Sequence, residues 1–421
     1  MGMPVTTDEL IEKAAAAKAA SFVLAQASAE VKNRALMAIA GAIRAQERTI
    51  LTANAQDCAY ASPRVEIDRL RLTPDRVTAM ARDVEAVAGL ADPVGKVFDE
   101  ATRPNGLKIS KRRVPLGVVG VIYESRPNVT SDIAAICVKT GNAVVLRGGS
   151  EALLSNGAIA AAIHHGLADG GLPVEAVQLI TSTDRAVVQR MLKLREYLDV
   201  IIPRGGEGLI AMVVEGSTVP VIETGAGVCH TYVDRTADAE MALRIVYNAK
   251  VRRPTICNAL DTLLVHREIA PSWLPRMAAE WSKARVEIHA DAEAARILND
   301  AGASAAPASP DDWGKEFLSL VAAVRVVSSL DEALEHIREH GSGHSEAIVT
   351  SDAGAASRFL NEVDAAAVFV NASTQFTDGG EFGLGTEVGI STQKLHARGP
   401  MGLLELTTYK WVIEGTGQIR E

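Results

Sequence analysis

VPLGVVGVIYESRPNVTSDIAAICVKTGNAVVLRGGS, residues 114–150, decides the fold. Residues 114–123 are a nearly unbroken apolar run rich in valine, the pattern of a strand buried on both faces. SDIAAICVKTG (131–141) reads as a helix that ends at Gly141, a residue type suited to closing a helix in the left-handed region. NAVVLRGG (142–149) is a second apolar strand. The rhythm continues with a helix at ALLSNGAIAAAIHHGLADGG, a strand at AVQLITS, a helix around Ala186–Arg195 and a strand at VIIPRGG. After a further helix, TVPVIET (218–224) reads as another strand. A second series begins near Cys229, with strands DTLLVH, VRVV, EAIVT and AAVFVN. Apolar strands alternating with helices imply an α/β fold with mostly parallel sheets covered by helices on both faces.

Upstream of this core the pattern changes. Residues 8–61 are alanine-rich with charges interspersed and read as two or three helices, broken at Pro63. Leu72-Thr73-Pro74-Asp75 opens a further helix with Thr73 as its N-cap. VFDEATRPNGLKISKRR (97–113) places the turn signal Pro104-Asn105-Gly106 between two strand-like pieces, which predicts a hairpin. Ala301 to Pro310 is rich in Ala, Ser and Pro and reads as a loop. The C-terminal LTTYKWVIEG is a strand expected to pair with the hairpin or with a neighbouring subunit.

At 421 residues the chain has room for two or three domains. Hydrophobic residues are 48% of it and aromatics only 4%, so the core must be aliphatic. The formal charge of −9 argues against nucleic acid as a partner, though a local arginine cluster can still receive an anionic substrate. Cys58, Cys137, Cys229 and Cys257 are widely spaced and suggest neither a zinc site nor a disulfide framework. MGMPVTTDEL lacks the charged and apolar regions of a secretory signal, and no apolar run approaches the ~18 residues of a membrane span. A cytoplasmic protein with no membrane association is expected.

Cys257 is the candidate nucleophile. It sits between Arg253-Pro254-Thr255 and the apolar run from Leu260 to His266, in a turn where a thiol is accessible. Backbone N–H groups and Arg252 or Arg253 are placed to stabilise its thiolate. The alternative is a small buried hydrophobe, which is how Cys58 and Cys137 read within their helical patterns. Glu223, at the end of the apolar run that leads into VIETGAG, is a carboxylate able to manage protons around the thiol; alternatively it is a solvated strand end. Cys229 and His230 follow closely, with packing the expected role of Cys229. Arg126 and Asn128 lie in YESRPNVT (123–130), after a strand and before a helix, where open α/β sheets contact ligands; otherwise they are surface turn residues. Gly205 and Gly206 in PRGGEGLI form a glycine turn before a helix, suited to a pyrophosphate or ribose. His336, His340 and His344 are spaced like metal ligands, but Gly341 and Gly343 break the helix before His344, and no metal is expected.

IETGAGVCHTYVD, RRPTICNALDTLLVH and STQKLHARGPMGL resemble the gamma-glutamyl phosphate reductase family of the aldehyde dehydrogenase superfamily, over roughly Glu9 to Lys410. The resemblance implies an aldehyde dehydrogenase-like fold: two parallel-sheet α/β domains plus a projecting β-hairpin oligomerisation element. Residues 1–96 and 114–224 would then bind cofactor, 225–394 would be catalytic, and 97–113 with 395–421 would assemble a homo-oligomer. It further implies NADPH-dependent reduction of L-glutamate 5-phosphate to the 5-semialdehyde and phosphate through a Cys257 thioester, in proline biosynthesis. Glutamate 5-kinase is the implied partner. Glu223 falls where the superfamily keeps a general base. The turn at 123–130 falls at its oxyanion asparagine, with Asn128 the donor and Arg126 and Arg253 facing substrate anions; an ungapped match puts Glu124 there instead. Arg147 falls where a basic residue meets the adenosine ribose. Ser150 stands where NAD-selective members often carry a glutamate, and the acid is displaced to Glu151, which favours NADP. Glu316 in KEFLSL matches the glutamate at the nicotinamide ribose. Lys394, His396 and Arg398 lie in the signature segment without separable roles. Two other readings remain: a hydrolytic aldehyde dehydrogenase, and an idle subunit that holds the kinase. A fused kinase half is not expected on this polypeptide.

Overall fold

The computed structural model describes residues 7–62, 67–124 and 126–420, so Pro63 lies outside the described residues. The chain divides into two compact units. One is Met1–Thr224 with Gly383–Gly389 and Met401–Glu421; the other is Gly225–Phe382 with Ile390–Pro400.

The first unit opens with three helices, Thr7–Leu24, Ala29–Ala45 and Glu47–Tyr60. Pro74–Gly89 follows, and the Thr73 side chain caps it by accepting the Arg76 N–H at 3.2 Å. Its parallel sheet runs in the order Val177–Leu179, Ala143–Gly148, Val118–Tyr123, Val200–Arg204. Every residue of Val118–Tyr123 is buried, as expected of a central strand with helices on both sides. The crossover helix Asn128–Lys139 ends just before Gly141, whose φ of 73° is accessible at little cost only to glycine. The strand order reverses between Val118–Tyr123 and Val200–Arg204, which creates a crevice at their C-terminal ends. The buried cluster around this sheet is aliphatic, with Val118, Ile122, Val145, Ile201 and Leu192 among its members.

Two expectations need correction here. TVPVIET is not a strand: only Val221 makes an isolated parallel bridge, to Ile201. Neither Pro220 nor Pro203 on the facing strand has an N–H to give to a ladder, so pairing is confined to Ile201 N–H to Pro220 O and Ile222 N–H to Ile201 O. The helix around Ala186–Arg195 is shorter, Arg185–Met191.

The predicted hairpin forms from Val97–Thr102 and Lys108–Pro115, with an irregularity between Phe98 and Ala101. Thr407–Glu414 pairs antiparallel with the second of these strands, giving a three-stranded sheet with Lys108–Pro115 in the middle.

The second unit holds a seven-stranded parallel sheet. Its order is Ala306–Pro307, Glu287–Ala290, Val321–Val327, Leu260–His266, Cys229–Val233, Ser345–Val349, Ala367–Val370. The short edge strand lies inside the stretch expected to be loop. The core on one face is aliphatic apart from Trp273 and Trp281. His336 and His340 lie on the helix Leu330–His340 and His344 lies beyond it. Among the described residues no cluster of three or more His, Cys, Asp or Glu is grouped to hold a metal ion, and no helix is long and apolar enough to cross a membrane.

Candidate active site

The helix Ala239–Val251 stops before Pro254, and Leu260–His266 begins the next strand, so Cys257 lies in the turn between them, half-buried. That turn is held from below. The Asn258 amide donates to the carbonyls of Gln375 (3.3 Å) and Thr377 (3.0 Å), and its own carbonyl accepts the Thr374 hydroxyl at 2.7 Å. Gln375 donates to Ala249 O (3.0 Å) and Arg253 O (3.3 Å), and its side-chain oxygen accepts from Arg252 at 3.3 Å. The segment 374–377 thus grips the turn on both sides of the thiol. Nothing in its sequence announces that role.

Gly227 lies flush against the Cys257 backbone: a Cβ there would overlap the Cys257 carbonyl oxygen. Its N–H donates to Glu316 Oε1 at 3.0 Å, which places Glu316 beside the Cys257 turn. Cys229 opens the strand Cys229–Val233 fully buried and donates its S–H to the Cys257 carbonyl at 3.2 Å. Burial pushes the Cys229 thiol well above its usual range, so Cys229 supports the turn rather than competing as a nucleophile. His230 is also buried; its Nδ1 lies 3.0 Å from Glu346 Oε2 on the neighbouring strand, within the sheet. His344 lies 2.8 Å from the Ser345 hydroxyl, and burial pulls it down to about 4, so it is neutral at pH 7. Lys394 and Arg398 both pair with Asp364, Arg398 at 2.7 Å, and so hold the signature segment to this unit. His396 adopts a φ of 68° within it.

On the first unit Glu223 is half-buried alongside the end of Val200–Arg204. Ile222 N–H bonds to Ile201 O at 2.9 Å before it, and the Thr224 hydroxyl bonds to Pro203 O at 2.8 Å after it. Arg126 is exposed. Asn128 is the first residue of its helix and donates one amide N–H to Asp132 Oδ2 at 2.8 Å. Burial, helped by Asp83, raises Asp132 to about 7 against the pull of Asn128 and Arg204. An Asp four residues after an Asn on one helix face was a readable spacing that the sequence reading missed.

The expected cofactor residues of this unit gather at the C-terminal ends of its strands, where an open α/β sheet receives a nucleotide. The Gly206 N–H points outward ahead of the helix Glu207–Gly216 and already receives an anion, the Glu124 carboxylate, at 3.1 Å. Arg147 is half-buried at the C-terminal end of Ala143–Gly148; its Nη2 donates to Thr183 O at 3.3 Å and its buried Nε has no hydrogen-bond partner. Burial lowers its pKa, with Glu151 opposing. Ser150 is exposed at the start of the turn that follows. The Gly206 N–H and the Arg147 Nη2 are thus engaged within the chain, and the Arg147 Nε is the buried donor left without a partner, at the edge where an α/β sheet receives a ligand.

Comparison with known proteins adds the lineage. The pattern of the Aldehyde dehydrogenase family matches residues 2–299. A gamma-glutamyl phosphate reductase of Dehalococcoides mccartyi is 57% identical over 417 residues, covering 98% of each chain. The chain belongs to the gamma-glutamyl phosphate reductases of the aldehyde dehydrogenase family. An Escherichia coli member is 53% identical over 409 residues, 96% of this chain and 98% of its own. The crystal structure of the Thermotoga maritima member superposes with a TM-score of 0.95 at 48% identity, covering 98% of this chain and all of its own. An acetylating aldehyde dehydrogenase from Geobacillus thermoglucosidasius, 19% identical with a TM-score of 0.71, shares the fold. The family fold, two parallel-sheet α/β units, is therefore the fold of this chain.

Proposed function

We propose that this chain reduces L-glutamate 5-phosphate to L-glutamate 5-semialdehyde, releasing phosphate, as a cytoplasmic enzyme of proline biosynthesis. The observation that carries the reading is the Cys257 turn. Its backbone is clamped by Asn258 and Gln375 and packed against Gly227, while the thiol is left half-buried at the chain's surface. A nucleophile held this way meets an electrophilic carbonyl without first paying to order its loop.

Cys257 attacks the acyl phosphate carbonyl, the C–O bond to phosphate breaks, and a thioester remains on the sulfur. The Asn128 amide has one N–H engaged by Asp132 and a second for the oxyanion that forms during attack. Arg126 and Arg253 receive the phosphate and carboxylate groups of the substrate. Glu223 takes the proton from the thiol. NADPH, when bound, would supply hydride to the acyl carbon; the C–S bond then breaks, which releases the semialdehyde and returns the Cys257 sulfur as a thiolate that regains the proton held by Glu223. On the first unit Arg147, Ser150, Gly205 and Gly206 hold its adenosine and pyrophosphate parts, with Ser150 leaving room for a 2′-phosphate. On the second, Glu316 takes the nicotinamide ribose. A glutamate 5-kinase that makes the acyl phosphate is the partner upstream.

The test runs the reaction backwards. NADP reduction by glutamate semialdehyde should require inorganic phosphate, because phosphate is the nucleophile that resolves the thioester. Full-rate oxidation without phosphate, with glutamate as product, would replace this reading with that of a hydrolytic aldehyde dehydrogenase.

A further inference from the structure

Lys250 and Asp261 are buried charged groups that the proposed chemistry leaves unused. They bracket the nucleophile's turn: Lys250 lies in the last turn of Ala239–Val251, and Asp261 is the second residue of Leu260–His266. The Lys250 ammonium donates to Leu260 O at 2.7 Å and stands 3.6 Å from Asp261 Oδ1. The same carboxylate oxygen accepts the Phe317 N–H at 3.0 Å, and the ammonium lies 5.8 Å from the centre of the Phe317 ring. Phe317 follows Glu316, whose carboxylate binds Gly227 N–H beside Cys257. Residues 315–318 belong to no helix or strand, so no ladder of their own holds them. Asp261 is a backbone anchor for that segment.

The energetics set this pair apart from ordinary packing. Burial pulls Lys250 down and pushes Asp261 up to about 7, so desolvation outweighs their mutual attraction. A buried ion pair of this kind adds little to stability, and apolar residues of similar volume often serve as well or better. Its specific yield is a fixed acceptor for the Phe317 N–H, with the Cys229 N–H also bonded to the carboxylate. We propose that Asp261, with Lys250 compensating its charge, is a positioning residue that sets Glu316 against the nucleophile's turn, ready for the cofactor's ribose. This rests on the reading that Glu316 contacts the cofactor.

Calorimetric affinity for NADPH, measured on the full chain without substrate, tests it. Glu316→Gln should weaken binding about ten- to a hundredfold, the range for losing a hydrogen bond to a charged group. Removing the pair together, Lys250→Met with Asp261→Leu, leaves no unpaired buried charge and should keep the melting temperature near that of the wild type. Its NADPH affinity should nevertheless fall as far as in Glu316→Gln. Adding Glu316→Gln to that variant should weaken binding no further, because residues acting through one another do not add. Asp261→Asn, which keeps an acceptor oxygen, should stay within about threefold of wild type, well short of the loss of a charged hydrogen bond. If Glu316→Gln binds NADPH normally, the cofactor role of Glu316 is wrong and the positioning role falls with it. If Glu316→Gln is impaired but the pair variant is not, or their losses multiply, Glu316 keeps its role and the positioning proposal is overturned. The same follows if Asp261→Asn loses as much as the pair variant.

Discussion

A thiol serves as a nucleophile only where it is accessible; Cys257 and Cys58 are partly exposed, and Cys257 differs from Cys58 in lying in a turn clamped by Asn258 and Gln375 instead of on a helix. Cys137 and Cys229 are fully buried, and burial raises both thiols. Cys58, on the helix Glu47–Tyr60, is also raised by burial. Cys257→Ala should therefore abolish turnover, by at least ~10³-fold, while NADPH affinity stays near wild type. Calorimetry beside a rate assay checks it, and residual activity within tenfold of wild type would remove the assignment. Cys58→Ala should stay active. The turn that carries Cys257 was legible because Pro254 and Asn258 mark it. Its supports were not: Gln375 is distant in sequence, in a polar stretch with no periodicity, and acts through backbone carbonyls that any residue supplies.

At the level of elements, strands read well where they are apolar throughout and badly where one residue breaks a ladder. Val118–Tyr123, the downstream part of VPLGVVGVIY, and DTLLVH are central and fully buried, so hydrophobicity identified them, but Val114 and Pro115 end the hairpin strand Lys108–Pro115 instead of joining the central one. TVPVIET is equally apolar, but Pro220 and the facing Pro203 limit it to a bridge, an effect of hydrogen bonding that hydrophobicity does not register. The two units present candidate residues at different ends of their strands. The glycine turn at 205–206 lies at strand C-termini, where an open α/β sheet is searched first, whereas Cys257 precedes the N-terminus of its strand. The three-stranded sheet carries its own prediction. Tyr409, Trp411 and Ile413 alternate along Thr407–Glu414 and are all about half exposed, an apolar row on one strand face. We propose that this row packs against a second copy of the chain. Deleting the hairpin would remove the central strand and confound the test, so Trp411→Glu with Ile413→Glu is the better probe. Sedimentation should show a lower mass for that variant with its secondary structure intact; an unchanged mass would take this face out of assembly.

For the molecule as a whole, the division into two units puts Glu223 on one and Cys257 on the other. In a hydrolytic aldehyde dehydrogenase a carboxylate in this role activates water against the thioester. In an acyl phosphate reductase the carboxylate is needed for the thiol proton alone, because phosphate arrives already charged. The two chemistries make different predictions for one substitution. Glu223→Gln should slow semialdehyde oxidation by ~10²–10⁴-fold, the usual contribution of a general acid or base. The slowed enzyme should keep an absolute requirement for phosphate and still yield the acyl phosphate. Alkylation of Cys257 by iodoacetamide in the cofactor-free protein should slow as well, since the missing base acts on the thiol. If alkylation is unchanged and wild-type turnover needs no phosphate, Glu223 acts on water, and the chain hydrolyses its thioester. If alkylation is unchanged but phosphate is still required, the proton acceptor is another group, and the reductase chemistry stands without Glu223.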